Sequence, residues 1–286
     1  MENEVLLTCR AGFSASHHYR VPEWSPEENQ RHFGKAANVH GHGHNYRVEV
    51  TIRGKVNPTT GMVVNITELK AQVAEVLETL DHRNLNEELA YFKKRIPTPE
   101  NLACYLWEKL EVKPLGGTLE SIRVYEDDSL WADYHGQPST RKIEPKASAS
   151  LTRVYHFSSA HRLYTSKLSP EENLRLYGKC SNPKGHGHNY VLAVTVAGNQ
   201  NEETGSIANP EHLDTLVRRE ILEPWDHRHL DQEIDDLREK TSTGENLVQI
   251  IWNKLAKDIP EGKLVSIKLD ETPNASFEYS GQVEGR

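Results

Sequence analysis

The sequence predicts an α+β protein with two tandem domains, each an antiparallel four-stranded sheet with two helices on one face. The first observation behind this prediction is an internal repeat: GKAANVHGHGHNYRVEVTI, which begins at Gly34, returns as GKCSNPKGHGHNYVLAVTV at Gly178. The second is that each copy combines strand-like alternation with helix-like spacing of apolar residues. Such a mixture is typical of helices that cover one face of a sheet.

The repeat extends over nearly the whole chain. Four further segments of the first copy have counterparts 144 to 145 residues later. They are FSASHHY with FSSAHRL, SPEENQRHFGKA with SPEENLRLYGKC, LDHRNLN with WDHRHLD, and PENLACYLWEKL with GENLVQIIWNKL. A nearly constant separation of half the chain indicates two intact domains rather than a solenoid of small units. The polar stretch GQPSTRKIEPKASAS reads as a linker, so we predict domains over 1–135 and 151–286, joined by 136–150.

Within each copy the predicted order is strand, strand, helix, helix, strand and a short final strand. In the first copy one strand runs through Phe13, and apolar and polar residues then alternate in HNYRVEVTIRG, as in a half-buried strand. After the turn residues NPTTG, the stretch TELKAQVAEVLETL has apolar residues at helical spacing, which predicts an amphipathic helix. Thr98 and Pro99 predict the cap and first turn of the second helix, and RVYED ends the last long strand.

Composition excludes several classes of function. The 286 residues carry a formal net charge of -8 without a long run of either sign, so we expect no nucleic-acid partner. The sequence has no run of about 18 apolar residues, and its start, MENEVLLTCRAG, lacks a signal-peptide core, so we expect no membrane association and a cytoplasmic location. Three widely spaced cysteines predict free thiols rather than a disulfide framework.

Histidines recur at matched positions in both copies and predict a metal site in each domain. Residues two apart in a strand point to the same side, so the two histidines of each HGH motif project together. A third histidine precedes the motif by 25 residues in both copies. Three imidazoles with an open fourth position are typical of catalytic zinc, so we expect one zinc ion per domain. The candidate ligands are His17, His42 and His44 in the first copy and His161, His186 and His188 in the second.

A thiol near the histidines is present in the second copy alone. Cys180 lies six residues before His186, and the first copy has Ala36 at the matching position. A nearby cation lowers the pKa of a thiol, so Cys180 is a candidate base or nucleophile. Cys9 and Cys104 lack such neighbours and are expected to pack in the interior.

Each copy also carries an Asp-His dipeptide and a glutamate at the end of its last long strand. A carboxylate can orient and charge an adjacent imidazole, which makes the dipeptide a candidate for proton transfer. A glutamate that faces a cavity can accept two parallel N–H bonds, such as those offered by guanine or pterin. These residues are Asp81, His82 and Glu126 in the first copy and Asp226, His227 and Glu271 in the second.

Taken together, these motifs resemble the 6-pyruvoyltetrahydropterin synthase and 6-carboxytetrahydropterin synthase family, once in each copy. The resemblance rests on FSxxH, GKCxNPxGHGHNY, DHRxL, T-x-EN and the strand-end glutamate. It implies a T-fold, in which several copies assemble side by side into a barrel with active sites between neighbouring subunits. It also implies zinc as the cofactor, dihydroneopterin triphosphate as the substrate and a lyase reaction that eliminates triphosphate.

The resemblance further implies roles for individual residues. In the second copy, His161, His186 and His188 would hold zinc, and Cys180 would remove a proton from the substrate. Asp226 and His227 would complete the proton relay. Glu271, with help from Thr243, would bind the pterin edge. The corresponding residues of the first copy are His17, His42, His44, Asp81, His82, Thr98 and Glu126.

The first copy departs from the family at Ala36, where the family has its cysteine. Alanine cannot accept a proton, so we expect an isolated first copy to bind metal and pterin but not to run the usual reaction. Because the family's sites lie between subunits, we expect Cys180 of one domain to work with an Asp-His pair of a neighbour. We hypothesise a homo-oligomer in which three chains supply six T-fold units.

Several alternatives stay open on sequence alone. The five residues between Cys180 and the following HGH motif favour the 6-pyruvoyl branch, while PTPENLA in the first copy is as close to the 6-carboxy branch that leads to queuosine. A pterin- or purine-binding protein with little turnover would keep the fold and the metal. A zinc hydrolase that uses metal-bound hydroxide needs no thiol, so a Cys180 variant separates it from a lyase.

Overall fold

The computed structural model describes residues 4–136 and 149–281. The chain forms two compact units, one of Met1–Thr152 with Ala197–Glu211 and one of Arg153–Val196 with His212–Arg286. The loop Ala197–Glu211 of the second repeat thus belongs to the unit that contains the first repeat, which the predicted domain boundaries do not anticipate. Most of the predicted linker over 136–150 lies outside the described residues.

The first repeat builds a sheet from five described strands. Their bounds are β1 Glu4–His17, β2 His42–Lys55, β3 Arg83–Asn84, β4 Thr118–Asp127 and β5 Leu130–Tyr134. They lie in the order β5-β4-β2-β1-β3; the long strands pair antiparallel, and the two-residue β3 is parallel to β1. The alternation predicted for β2 is observed, since Tyr46, Val48, Val50 and Ile52 are all buried.

Two long helices cover this sheet. The helices of the repeat are α1 Pro26–Phe33, α2 Ile66–Leu77, α3 Leu85–Glu88 and α4 Pro99–Leu110. Helices α2 and α4 contact each other as well as the sheet, because each presents a stripe of buried apolar residues. Thr98 caps α4 as predicted, its hydroxyl oxygen accepting the N–H of Asn101 at 3.2 Å.

Helix α1 is absent from the predicted order of elements. Ser25 and Glu28 form a capping box at its start, in which each side chain accepts the other's backbone N–H, at 3.1 and 2.8 Å. The signal for this helix is the motif S-P-E-E, which satisfies two N–H groups that would otherwise lack partners. A 3₁₀ turn, Gly34–Ala37, follows α1 and leads to β2.

The second repeat has five matching strands, and its described residues form five helices where those of the first repeat form four. Its strands are β6 Ala149–His161, β7 His186–Gly198, β8 Arg228–His229, β9 Lys263–Thr272 and β10 Ala275–Tyr279, in the order β10-β9-β7-β6 with β8 beside β6. Its helices are α5 Pro170–Tyr177, α6 Pro210–Val217, α7 Glu223–Trp225, α8 Leu230–Glu233 and α9 Gly244–Leu255. In the described part of the chain, no helix has the length and apolar character needed to cross a membrane.

One inserted residue distinguishes the long helix of the second repeat from that of the first. The separation between repeats is 144 residues at the HGH motifs and 145 at the Asp-His pairs. Between α6 and α7 the chain forms a π-helical turn, Arg218–Leu222. A π turn accommodates an extra residue without ending the helix, so the elements on either side keep the positions that they have in the first repeat.

Candidate active site and metal centres

Three imidazoles and one carboxylate converge at the end of β1 and β2. The register of these strands places His17 opposite His42, and His44 follows two residues later on the same side. The ligand-type atoms of His17, His42, His44 and Glu126 all lie within 4.8 Å of one another. We call these four residues the first cluster.

The environment of His17 selects the form of imidazole that binds metals. Its Nδ1 lies 3.1 Å from the carbonyl oxygen of Pro97. Since a carbonyl can only accept, Nδ1 carries the proton and Nε2 keeps its lone pair. Burial, with a smaller contribution from His42, lowers the pKa of His17 to about 3, so the ring is neutral at neutral pH.

The second repeat brings together His161, His186 and His188, which we call the second cluster. The Nε2 atoms of His161 and His186 are 3.0 Å apart, while two nitrogen ligands of one tetrahedral zinc lie about 3.3 Å apart. The Nδ1 of His161 lies 3.0 Å from the carbonyl oxygen of Ser242, and burial lowers the pKa of His161 to about 4. His17 and His161 therefore share the same tautomer and are both neutral at neutral pH.

A glutamate stands next to each cluster. Glu271 Oε1 is 3.7 Å from Nε2 of His161 and 3.9 Å from Nε2 of His188. Glu126 Oε1 is 3.6 Å from Nε2 of His44. Burial raises the pKa of Glu126, and its other oxygen, Oε2, accepts a hydrogen bond from the hydroxyl of Tyr19.

The backbone of Cys180 in the second repeat has the same local arrangement as that of Ala36 in the first. Cys180 lies in a 3₁₀ turn, Gly178–Ser181, and its carbonyl accepts the N–H of Leu163 at 2.9 Å. In the first repeat the carbonyl of Ala36 accepts the N–H of Tyr19 at 2.8 Å. None of the three cysteines forms a disulfide. The second repeat thus has a thiol on the turn that is hydrogen-bonded two residues beyond His161, where the first repeat has a methyl group.

The two Asp-His pairs have the same conformation. Asp226 accepts the N–H of Ser158 at 2.8 Å and lies 3.0 Å from Nδ1 of His227; the matching distances for Asp81 are 2.7 and 2.8 Å. His82 and His227 have φ of 56 and 58°, in the left-handed region that non-glycine residues seldom adopt. Backbone hydrogen bonds are the largest cause of the lowered pKa of both aspartates. Among the described residues, no hydrogen bond joins either pair to Cys180.

The loop Ala197–Glu211 of the second repeat, which belongs to the first compact unit, covers residues near the first cluster. The hydroxyl of Thr98 donates to the carbonyl of Gly205 at 3.0 Å. Glu100, which sequence reasoning missed, is buried and accepts the N–H of Ile207 at 3.0 Å. Burial raises the pKa of Glu100 to about 7. In the second repeat the matching Thr243 makes no capping bond through its side chain.

Both repeats match one protein family. The sequence model of the family described as 6-pyruvoyl tetrahydropterin synthase matches residues 6–137 and again residues 150–282. The chain belongs to this family. The sequence resemblance is thereby confirmed for each repeat, and the α+β architecture agrees with it.

Curated relatives of this synthase family align with about half of the chain. The human 6-pyruvoyl tetrahydrobiopterin synthase is 42% identical over 137 residues, which are 48% of this chain and 94% of its own. That of Poecilia reticulata is 46% identical and covers 53% of this chain and 99% of its own. A putative 6-carboxy-5,6,7,8-tetrahydropterin synthase of Archaeoglobus fulgidus is 35% identical, over 46% of this chain and 97% of its own.

A solved structure in the same synthase family is also similar. The 6-pyruvoyl tetrahydropterin synthase of Caenorhabditis elegans is 39% identical, covers 46% of this chain and 96% of its own, and superposes with a TM-score of 0.45. The roles expected for the cysteine, the Asp-His pairs and the glutamates of this chain stay predictions.

Proposed function

We propose that the chain is a 6-pyruvoyl-tetrahydropterin-synthase-like lyase that converts 7,8-dihydroneopterin triphosphate with loss of triphosphate. The observation that carries the proposal is the second cluster, together with the backbone bond that ties the turn of Cys180 to Leu163, two residues beyond His161. The curated relatives of the chain include several named 6-pyruvoyl tetrahydrobiopterin synthases. The second repeat is the catalytic one, because Ala36 cannot take up a proton.

The residues of both clusters fit a zinc ion. His44 Nε2 is buried without a hydrogen-bond partner among the described residues, and an orphaned nitrogen in a group of imidazoles suits a divalent cation. In the second cluster the Nε2 atoms of His161 and His186 lie 3.0 Å apart, as two ligands of one ion would. His161, His186 and His188 would hold the catalytic ion. Bound there, zinc would supply Lewis-acid polarisation of the substrate's side-chain oxygens.

Three groups of this chain would handle the proton and the substrate. The Cys180 thiolate takes a proton from a side-chain carbon of the substrate, and the C–O bond to triphosphate breaks with its electron pair. Asp226 orients His227, so that this imidazole passes protons to or from the substrate's oxygens. The Glu271 carboxylate accepts the parallel N–H pair of the pterin ring, with Thr243 nearby.

The assembly proposed from the sequence gains support from the loop 204–209. This loop is buried against Thr98 and Glu100. The matching loop of the first repeat, 60–65, is largely exposed and includes Met62 with 45% exposure, while Glu245, which matches Glu100, is exposed as well. We propose that loop 60–65 of one chain covers Thr243 and its surroundings in a neighbouring chain. Three chains that make this contact in turn would close a ring of six T-fold units.

Light scattering on the purified protein tests this assembly. We expect a trimer, and Met62→Asp is expected to dissociate it and lower kcat. The composite site is wrong if either repeat, expressed alone, is a fully active monomer.

One alternative function has an observation in its favour. The relative from Archaeoglobus fulgidus is a putative 6-carboxy-5,6,7,8-tetrahydropterin synthase. The product would then carry a carboxylate in place of the pyruvoyl group. The lower identity, 35% against 42 to 46% for the human and Poecilia reticulata 6-pyruvoyl enzymes, favours the pyruvoyl product.

The deciding experiment incubates the zinc-loaded protein with 7,8-dihydroneopterin triphosphate and follows triphosphate and pterin products by mass spectrometry. We expect triphosphate release with a 6-pyruvoyl product. A carboxylated product selects the alternative branch. Tight pterin binding without turnover would show that neither repeat is a lyase.

A further inference from the structure

The two repeats differ at the residue that faces the strand-end glutamate. Position 19 is tyrosine, and the matching position 163 is leucine. The hydroxyl of Tyr19 donates to Oε2 of Glu126. Leucine has no hydroxyl, so Glu271 cannot receive the equivalent bond. The side chain of Glu126 is 9% exposed, and that of Glu271 is 18% exposed.

Tyr19 is held firmly where it stands. It is buried in a small apolar group that includes Val21, Phe33 and Ile96. Its ring meets that of Phe33 edge to face at 6.0 Å and that of His17 at 5.0 Å. The hydroxyl that reaches Glu126 is therefore fixed by packing on several sides, and it fixes the rotation of the carboxylate in turn.

This orientation turns the free oxygen of Glu126 toward the imidazoles. With Oε2 bound to Tyr19, Oε1 is the atom that lies 3.6 Å from Nε2 of His44. That nitrogen is buried and has no hydrogen-bond partner among the described residues. The ligand-type atoms of Glu126 and of the three imidazoles all lie within 4.8 Å of one another. Glu271 does not lie so close to all three histidines of the second repeat, although its Oε1 is 3.7 Å from Nε2 of His161 and 3.9 Å from Nε2 of His188.

We infer that the first cluster is a closed metal site in which Glu126 is the fourth protein ligand and Tyr19 is its positioning residue. Zinc sites with four protein ligands are structural, whereas catalytic sites keep one position open for water or substrate. The first repeat then holds a divalent cation for stability. Its glutamate is committed to the metal and does not bind pterin, in contrast to the role that the resemblance implies.

The replacement of cysteine by alanine agrees with this assignment. A site without an open position has no use for a base, and Ala36 is half-buried against the apolar group that contains Tyr19. In the second repeat Leu163 offers the carboxylate of Glu271 no hydroxyl that would fix its orientation, and Cys180 is retained. The residues at positions 19 and 36 thus distinguish a structural metal site in the first repeat from the catalytic site proposed for the second.

The test measures zinc affinity by chelator competition on the full chain, in two single-cluster backgrounds. The double substitution His186→Ala with His188→Ala leaves the first cluster, and His42→Ala with His44→Ala leaves the second. In the first background we expect Glu126→Gln to weaken zinc binding at least ~100-fold and Tyr19→Phe to weaken it by about 10-fold. In the second background we expect Glu271→Gln to change the affinity by less than about threefold, because this carboxylate is not a ligand.

Circular dichroism of each variant reports folding, and a crystal structure of the zinc-loaded parent gives a reading that needs no variant. We expect an oxygen of Glu126 about 2.0 to 2.2 Å from the metal in the first cluster. The inference is overturned if water takes that position, or if Glu126→Gln and Glu271→Gln change zinc affinity equally. Because affinity and coordination are read without turnover, the test is independent of the lyase activity.

Discussion

The carbonyl oxygen of Cys180 accepts a hydrogen bond from the N–H of Leu163 at 2.9 Å, two residues beyond His161. This bond holds the turn that carries the thiol beside the end of β6, where the second cluster begins. The first repeat makes the same backbone bond to Ala36. The two repeats therefore place the turn in the same way and differ in the side chain that it presents.

Replacing this thiol tests its role as the base. We expect Cys180→Ala to lower kcat by about 10²- to 10⁴-fold, the usual contribution of a general base, with little change in zinc content. Cys104→Ala is the control, because burial raises the pKa of Cys104 to about 12 and keeps that thiol protonated. Equal losses in both variants, or retained turnover in Cys180→Ala, would contradict the role of Cys180.

The left-handed backbone of His227 predicts a conflict between stability and activity. Glycine adopts a φ of 58° without the steric penalty of a side chain. We expect His227→Gly to raise the free energy of unfolding by about 0.5–1 kcal/mol and to lower kcat, because the imidazole is lost. Urea unfolding and steady-state kinetics measure both effects. A variant that is less stable, or that is fully active, would refute this view of His227.

His82→Gly is the matched variant in the first repeat, since His82 has a φ of 56°. We expect the same gain in stability. Its effect on kcat reports whether the first Asp-His pair serves the Cys180 of a neighbouring chain, because a pair outside the reaction leaves kcat unchanged.

Local sequence patterns predicted most of the fold and the core of the site. Parity along β2 predicted which side His42 and His44 face, because side-chain direction in a strand depends on the chain itself. The cap at Thr98 was predicted from another local pattern, a threonine directly before a proline at the first turn of a helix. The π-helical turn in the second repeat was not predicted, although the change in the separation of the repeats from 144 to 145 residues marks the inserted residue.

Contacts between distant parts of the chain were not predictable in this way. Tyr19 and Glu126 are 107 residues apart, as are Glu100 and Ile207. Each contact depends on which loop covers which strand end, and no periodicity in the sequence encodes that choice. The missed features of the site are therefore those that distinguish the first cluster from the second.

Restoring the thiol in the first repeat should not create a second active site. In Ala36→Cys the carboxylate of Glu126 is still bound by Tyr19, so the first cluster remains without an open substrate position. We expect kcat per chain and the number of pterins bound per chain to stay at the values of the parent, because no second active site is created. Steady-state kinetics and the number of pterins bound per chain check this; a doubling of both would show that Tyr19 does not close the site.

Glu100 predicts that stability falls as the pH rises toward 8. Burial raises its pKa to about 7 in the folded protein, against about 4.3 in an unfolded chain. Between these values the folded protein holds a proton that the unfolded chain has released. The stabilisation is therefore fully present below about pH 4.3 and is lost as the pH rises through about 7.

Glutamine at position 100 removes this loss, because its amide stays neutral at every pH and still accepts the N–H of Ile207. We expect Glu100→Gln to exceed the parent in stability at pH 8 by about 1–3 kcal/mol and by a clearly smaller margin near pH 5, where most of the stabilisation is still present. Thermal unfolding of the metal-free protein at both pH values measures the difference. The control is Glu245→Gln, since Glu245 matches Glu100 but is exposed and should leave the pH profile unchanged. A parent protein as stable at pH 8 as at pH 5, with no gain from Glu100→Gln, would mean that Glu100 is ionised without penalty in the fold.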